Sequence, residues 1–273
     1  MKKHLSWTRE IAAILLGLLF LVPILFAVSN SFKTAGEIFV SFVDMPKQIN
    51  LDNYLKVWND MNYLQTFFNT LIITFFSVTA TLLLSSMAAY KISRMNSRWA
   101  FVLLMFFVLS MMIPFQTIMI PLVKLAAYIH FTNSKFGLIM IIIALFSPFT
   151  IFLYRGFIQQ VPIDLEEAAR IDGASIYQTF FQIVFPLLLP ITTTAAILNT
   201  LYVWNDFLLS FLLLQKPGMM TLQLMVYRYF GTYSLEWNLA LTSIILTAIP
   251  VIIFYVILQK YIVKGVTAGA LKG

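Results

Sequence analysis

Residues 164–174 read DLEEAARIDGA and place Asp164, Glu166, Glu167 and Asp172 within nine positions of a chain that is 60% hydrophobic and carries a formal charge of +7. Acids at this density can do acid–base work, hold a metal or recognise a basic surface. The first two need partners that the sequence does not supply. His4 and His130 are its two histidines, neither in a nucleophile or metal constellation, and there is no Cys. No G-x-x-x-x-G-K-[ST] occurs, so there is no phosphate cradle for hydrolysing ATP. A second polar notch, Trp204, Asn205 and Asp206, interrupts an apolar run, and Asp206 is the one clear acid inside such a run. An aromatic face beside two hydrogen-bonding groups suits a sugar, while the same groups also serve as glue between helices, and both readings stand.

The acidic stretch carries helix grammar. After Pro162, Asp164 is placed as an N-cap with Glu167 three residues on, starting a helix at Leu165. Glu166 and Arg170 are spaced as an i,i+4 ion pair. Gly173 is expected to cap the helix in the left-handed conformation, and Ser175 with Gln178 repeats the capping signature for a second helix running toward Pro186. Leu165, Ala168, Ala169 and Asp172 fall on one side, and the two alanines permit close approach. A capped surface turn and a knob for a partner's groove both fit.

What positions this stretch is lipid. Mean hydropathy is +0.88 with 11% charged residues, outside the soluble range. Lys and Arg sit in short flanks between apolar runs, a topology pattern and not a nucleic-acid footprint. Six runs approach the roughly 20 residues of a membrane crossing: 11–28, 67–90, 99–123, 136–154, 183–214 and 239–258. The first also resembles a signal peptide, but its length favours a retained helix. The fifth is too long for one straight crossing and must tilt, bend or leave the membrane. All are expected to be helical. Lys2, Lys3, Arg9, Lys91, Arg94, Arg98, Arg155, Arg170, Lys260, Lys264 and Lys272 outnumber Lys33, Lys47, Lys56, Lys124, Lys135, Lys216 and Arg228 on the other side, so both termini and residues 164–174 are expected in the cytoplasm. Pro23, Pro114, Pro121, Pro148, Pro186, Pro190 and Pro250 offer kinks across the runs, as in a bundle that encloses a cavity and rearranges.

Glu167, Ala168, Ala169, Gly173, Ile183 and Pro186, with Phe185 for the usual Leu, match the Glu-Ala-Ala (EAA) signature of the inner-membrane permeases of binding-protein-dependent ABC importers. SFKTAGEIF, LDNYLKVW, MIPFQTIMIPL, WNDF and the terminal GVTAGALKG extend the resemblance over nearly the whole chain, to the maltose-type, carbohydrate branch. The resemblance implies an all-α membrane protein with six transmembrane helices and a cytoplasmic coupling helix, divided into a first helix and external loop (1–65), a permease core (66–265) and a cytoplasmic tail (266–273). It implies a multi-pass sugar-import subunit of the bacterial inner membrane that performs no catalysis and binds no cofactor. Its expected partners are membrane lipid, a second homologous permease, an extracytoplasmic sugar-binding protein and a cytoplasmic ABC ATPase dimer that holds ATP and Mg, with no role for nucleic acid. Glu166, Glu167, Ala168, Ala169, Arg170, Asp172, Gly173 and Ala174 would couple to the ATPase. Trp204, Asn205 and Asp206 would line the substrate pathway. Lys216, Gly218, Tyr227 and Arg228, with Tyr233 nearby, would meet the binding protein, against the simpler reading of a solvated interfacial loop. The competing class is an ion-coupled secondary transporter of small polar solutes, for which Asp206 is the thin support.

Overall fold

A computed structural model describes residues 2–231 and 236–270, and the side chains of residues 7, 9–230 and 236–257. Tyr233 and the last three residues of the terminal motif lie outside the described residues, as do the side chains of Lys2, Lys3, Lys260 and Lys264. No strand occurs among the described residues. The helices are α1 (Lys2–Ser31), α2 (Ala35–Val40), α3 (Asp52–Asp60), α4 (Tyr63–Arg94), α5 (Arg98–Met112), α6 (Phe115–Tyr128), α7 (Lys135–Ile158), α8 (Asp164–Ile171), α9 (Ile176–Gln178), a π-helical stretch Thr179–Val184, α10 (Phe185–Leu187), α11 (Leu189–Trp204), α12 (Leu208–Leu213), α13 (Leu222–Gly231) and α14 (Trp237–Ala270).

Four of the described helical stretches are long and apolar enough to cross a membrane: Arg9–Ser31, Tyr63–Arg94, Lys135–Ile158 and Trp237–Ile257. Two bent pairs bring the number to six if each is one span: α5 with α6, bent by 102°, and Ile176–Leu187 with α11, bent by 76°. The bends fall at prolines for identifiable reasons. Ile113 precedes Pro114 and is pushed out of the helical region to φ −80°, ψ 117°, which stops α5. Pro186 and Pro190 lack N–H groups on either side of Leu188, where the second bend lies. Pro23, Pro121, Pro148 and Pro250 lie inside helices that continue through them, so proline position marks only part of the breaks.

Two compact units form. One comprises residues 1–64 and 222–252, the other 65–221 and 253–273. In the first, a buried polar network ties the end of α1 to α3 and α14: the Asn53 amide donates to the Ser31 and Lys33 carbonyls (both 2.8 Å), Asn238 donates to Asn53 (2.9 Å) and Thr242 to Ser31 O (3.1 Å). Lys33 is itself 1% exposed, its Nζ donating to the Ser41 and Phe42 carbonyls. Such a cluster is tolerable away from water because its donors are taken up within it, although the buried Asn238 Oδ1 has no partner. In the second unit α7 packs on α5 and α11, with hydrogen bonds from Tyr154 to Thr192 (3.0 Å) and from Asn199 to Thr150 (3.1 Å).

Candidate functional site

The acidic segment folds as a helix with a sharp reversal behind it. In α8 the N-cap position is Ile163, without a side-chain cap, and Asp164 is already helical. The expected Asp164–Glu167 capping box is therefore absent. Three acids in the first turn, Asp164, Glu166 and Glu167, complement the exposed N–H groups at this end electrostatically instead. The other end follows the sequence. Gly173 has φ +85°, Ala174 N–H donates to Ala169 O (2.9 Å) and Gly173 N–H to Arg170 O (3.0 Å), the paired bonds of a Schellman turn. A Cβ at Gly173 would meet nothing within 4 Å, so glycine is required by conformation and not by space. Ser175 and Gln178 then exchange the two bonds of a capping box, at 2.7 and 3.3 Å, and open the next helix.

The faces of α8 differ from the sequence expectation. Glu166 and Ala169 are buried; Asp164, Leu165, Glu167, Ala168, Arg170 and Asp172 are exposed, with Ile171 at 86%. The expected stripe thus divides, Ala169 being buried while Leu165, Ala168 and Asp172 stay outside, and α8 as a whole packs on the π-helical stretch. Glu166 does not pair with Arg170. Glu166 is 1% exposed; one carboxylate oxygen accepts from Arg94 Nε (2.8 Å) with Nη2 in ion-pair contact (2.7 Å), and the other accepts from Tyr90 OH (2.7 Å). Arg94 Nη2 also donates to Val161 O (2.8 Å), and the Tyr90 ring packs against Phe180 at 5.2 Å. The local i,i+4 pair loses because a buried carboxylate gains more from a desolvated guanidinium and a phenol than from an exposed arginine. Removing one member of a buried pair typically costs about 3–5 kcal/mol, because the survivor stays charged and unpaired. Beside this cluster an open pocket of about 330 Å³ is lined by Ser93, Arg94, Met95, Asn96, Ile163, Glu166, Glu167 and Arg170.

Sequence reasoning missed Tyr90 and Arg94 as members of this site. Their i,i+4 spacing at the last turn of α4 was a visible signal, but a partner 72 positions away was not.

Trp204, Asn205 and Asp206 occupy the break between α11 and α12 and are not brought together as one ligand face. Trp204 is buried, edge-on to Phe67 at 5.9 Å, and its Nε1 has no hydrogen-bond partner. Asn205 is exposed and its amide donates back to Leu201 O (2.8 Å). Asp206 accepts from Leu209 N–H (3.2 Å), Ser210 N–H (3.0 Å) and Ser210 Oγ (3.1 Å), so its carboxylate takes up first-turn N–H groups of α12 from the position before the N-cap, Phe207.

Lys216 and Gly218 belong to the second unit, Tyr227 and Arg228 to the first. The stretch carrying the former pair is pinned: Asn133 Oδ1 accepts from Gln215 N–H (2.7 Å) and Lys216 N–H (2.9 Å), while the Asn69 amide donates to Gly218 O (2.9 Å) and Met220 O (3.0 Å). Gly218 has φ +82°, with the Gln65 side chain 3.3 Å from where a Cβ would stand. Lys216 and Gly218 are exposed, as are Tyr227 and Arg228, the latter two on α13. No group of acids and histidines able to hold a metal occurs among the described residues.

Residues 81–268 match the family described as binding-protein-dependent transport system inner membrane component. The chain is 39% identical to a probable starch degradation products transport system permease protein, AmyC, of Thermoanaerobacterium thermosulfurigenes, over 95% of this chain and 94% of that one. It is also 39% identical to the multiple sugar-binding transport system permease protein MsmG of Streptococcus mutans, over 94% and 93%. Among solved structures, it is similar to a chain of a bacterial ABC transporter involved in the import of the acidic polysaccharide alginate, with TM-score 0.80 and 25% identity, covering 92% of this chain and 95% of that one.

Proposed function

We propose a function from one premise: the chain belongs to the family of binding-protein-dependent transport system inner membrane components. It is a multi-pass membrane permease, a transport subunit and not an enzyme. Its relatives are named for a starch degradation products transport system and a multiple sugar-binding transport system, and we read this chain as an ABC importer permease for sugars or oligosaccharides. Finer points are also ours: six spans, with each bent pair as one crossing; both termini in the cytoplasm of a bacterial cell, in its inner membrane; a translocation path shared with a second, homologous permease; a pair of ABC ATPases below and a sugar-binding protein outside.

The observation that carries this reading is α8. An eight-residue helix leaves the apolar body, exposes Glu167 and Asp172 with Ile171 and Leu165, and reverses at a left-handed glycine. Ile171, exposed at 86%, and Leu165 are apolar side chains that a partner surface docked on α8 would cover. A groove on a soluble ATPase with a basic residue opposite Glu167 is the surface that fits. Closure of the ATPases would then displace α8 and, through the π-helical stretch on which it packs, the bent fifth span. Lys216, Gly218, Tyr227 and Arg228 supply exposed polar and aromatic contacts suited to the binding protein. Asp206, its carboxylate engaged in capping, offers no observation that favours an ion-coupled transporter. Trp204 stays in the proposal as a pathway residue through its unpartnered indole N–H.

Affinity purification of the tagged chain from its own membranes in mild detergent, followed by mass spectrometry, tests this. An ABC ATPase and a second permease should accompany it in stable proportion; a chain that purifies alone and supports uptake by itself would overturn the reading.

A further inference from the structure

Glu166 and Glu167 are neighbours in sequence but differ in environment. Glu167 is exposed on α8, whereas Glu166 is 1% exposed, one of its oxygens held by Arg94 and the other by Tyr90 of α4. We propose that Arg94, Glu166 and Tyr90 are positioning residues that form a strut, so that α8 moves as a rigid extension of α4 and docking is left to Glu167. The inference rests on the reading of α8 as the ATPase-contacting helix, but its structural half does not.

Three features make this arrangement a strut and not a loose contact. The carboxylate receives two hydrogen bonds of 2.7–2.8 Å, with Arg94 Nη2 in ion-pair contact at 2.7 Å, from two side chains one helical turn apart on α4, so rotation about one bond cannot release it. Arg94 also holds Val161 O, upstream of α8, so both the approach to the helix and its first turn are fixed to the same guanidinium. Tyr90 meanwhile presses its ring on Phe180, in the π-helical stretch on which α8 packs, so one side chain touches both elements behind the docking face. A surface helix held only by its connections would swing when pushed. One held by a buried, fully satisfied ion pair transmits displacement, because a packed polar network has few alternative arrangements of comparable energy.

The test separates holding from docking. Glu166→Gln keeps the side chain's shape and an acceptor for Tyr90 but removes the charge that Arg94 holds, and Tyr90→Phe removes the hydroxyl while keeping the ring on Phe180. In the full complex, both variants should retain the ATPase subunits at wild-type stoichiometry. Binding-protein-stimulated hydrolysis and uptake should fall about tenfold in Glu166→Gln, within the usual range of coupling between sites. The exchange Arg94→Glu with Glu166→Arg keeps the ion pair while giving up the bonds to Tyr90 and Val161 O, and should restore part of it. Spin labels on cysteines placed at the exposed positions Lys91 and Asp172 of this Cys-free chain should give one narrow distance distribution in wild type, broadened in Glu166→Gln and narrowed again in the exchange. An equally narrow distribution in Glu166→Gln, a loss of ATPase subunits like that of a Glu167 variant, or an exchange that rescues nothing would each overturn the strut. Absence of any ATPase from the wild-type complex would instead overturn the reading beneath it, leaving the distance measurement to judge the strut alone.

Discussion

At the scale of single residues, local chemistry was legible and long-range pairing was not. Gly173 and the Ser175–Gln178 capping box could be read directly, since a turn is decided by the few residues inside it. Glu166 could not: its role depends on which face of α8 meets α4, and nothing within 164–174 encodes that register. Asp206, an acid isolated in an apolar run, accepts three hydrogen bonds at the start of α12, a local role that its spacing from Ser210 encodes. A cap of this kind is worth about 1 kcal/mol, and Asn fills the role nearly as well as Asp. The melting temperature of the complex in detergent should therefore fall for Asp206→Ala and stay near wild type for Asp206→Asn. An equal loss in both would mean that the charge, and not the cap, is what the site needs.

At the scale of elements, the six apolar runs all correspond to helical stretches, and the run too long for one straight crossing is the one bent by 76° near Leu188. What the sequence could not decide was which prolines break a helix. Pro148 removes one backbone bond and α7 continues, held by its packing on α5 and α11; Pro114 adds a restriction on Ile113, and α5 stops. The hinge behind α8 can be tested directly. At Gly173 the φ of +85° disfavours a β-branched residue by about 1–2 kcal/mol although space is open, whereas Asn tolerates this conformation. Gly173→Val should reduce uptake with the chain still inserted in the membrane, and Gly173→Asn should keep most of it. Equal activity in the two variants would show that the turn's geometry does not matter to transport.

At the scale of the whole molecule, membrane residence follows from composition, while orientation rests on the balance of flanking cations. Absence of Cys makes that orientation measurable. Single cysteines at Asn96 and Ser175 should be protected from an impermeant thiol reagent in intact cells, and one at Ser41 should react; labelling of Ser175 from outside would invert the topology. The claim on which the account stands is that α8 transmits ATP-driven work, and binding-protein-stimulated ATP hydrolysis by the purified complex tests it most directly. Glu167→Lys places a cation where a basic ATPase residue is expected and leaves the spans untouched. Stimulated hydrolysis should fall about tenfold or more relative to wild type, a loss in the range expected for broken coupling between sites, together with weaker retention of the ATPase subunits. Wild-type stimulation from a fully assembled Glu167→Lys complex would contradict the account and leave residues 164–174 as a connecting turn.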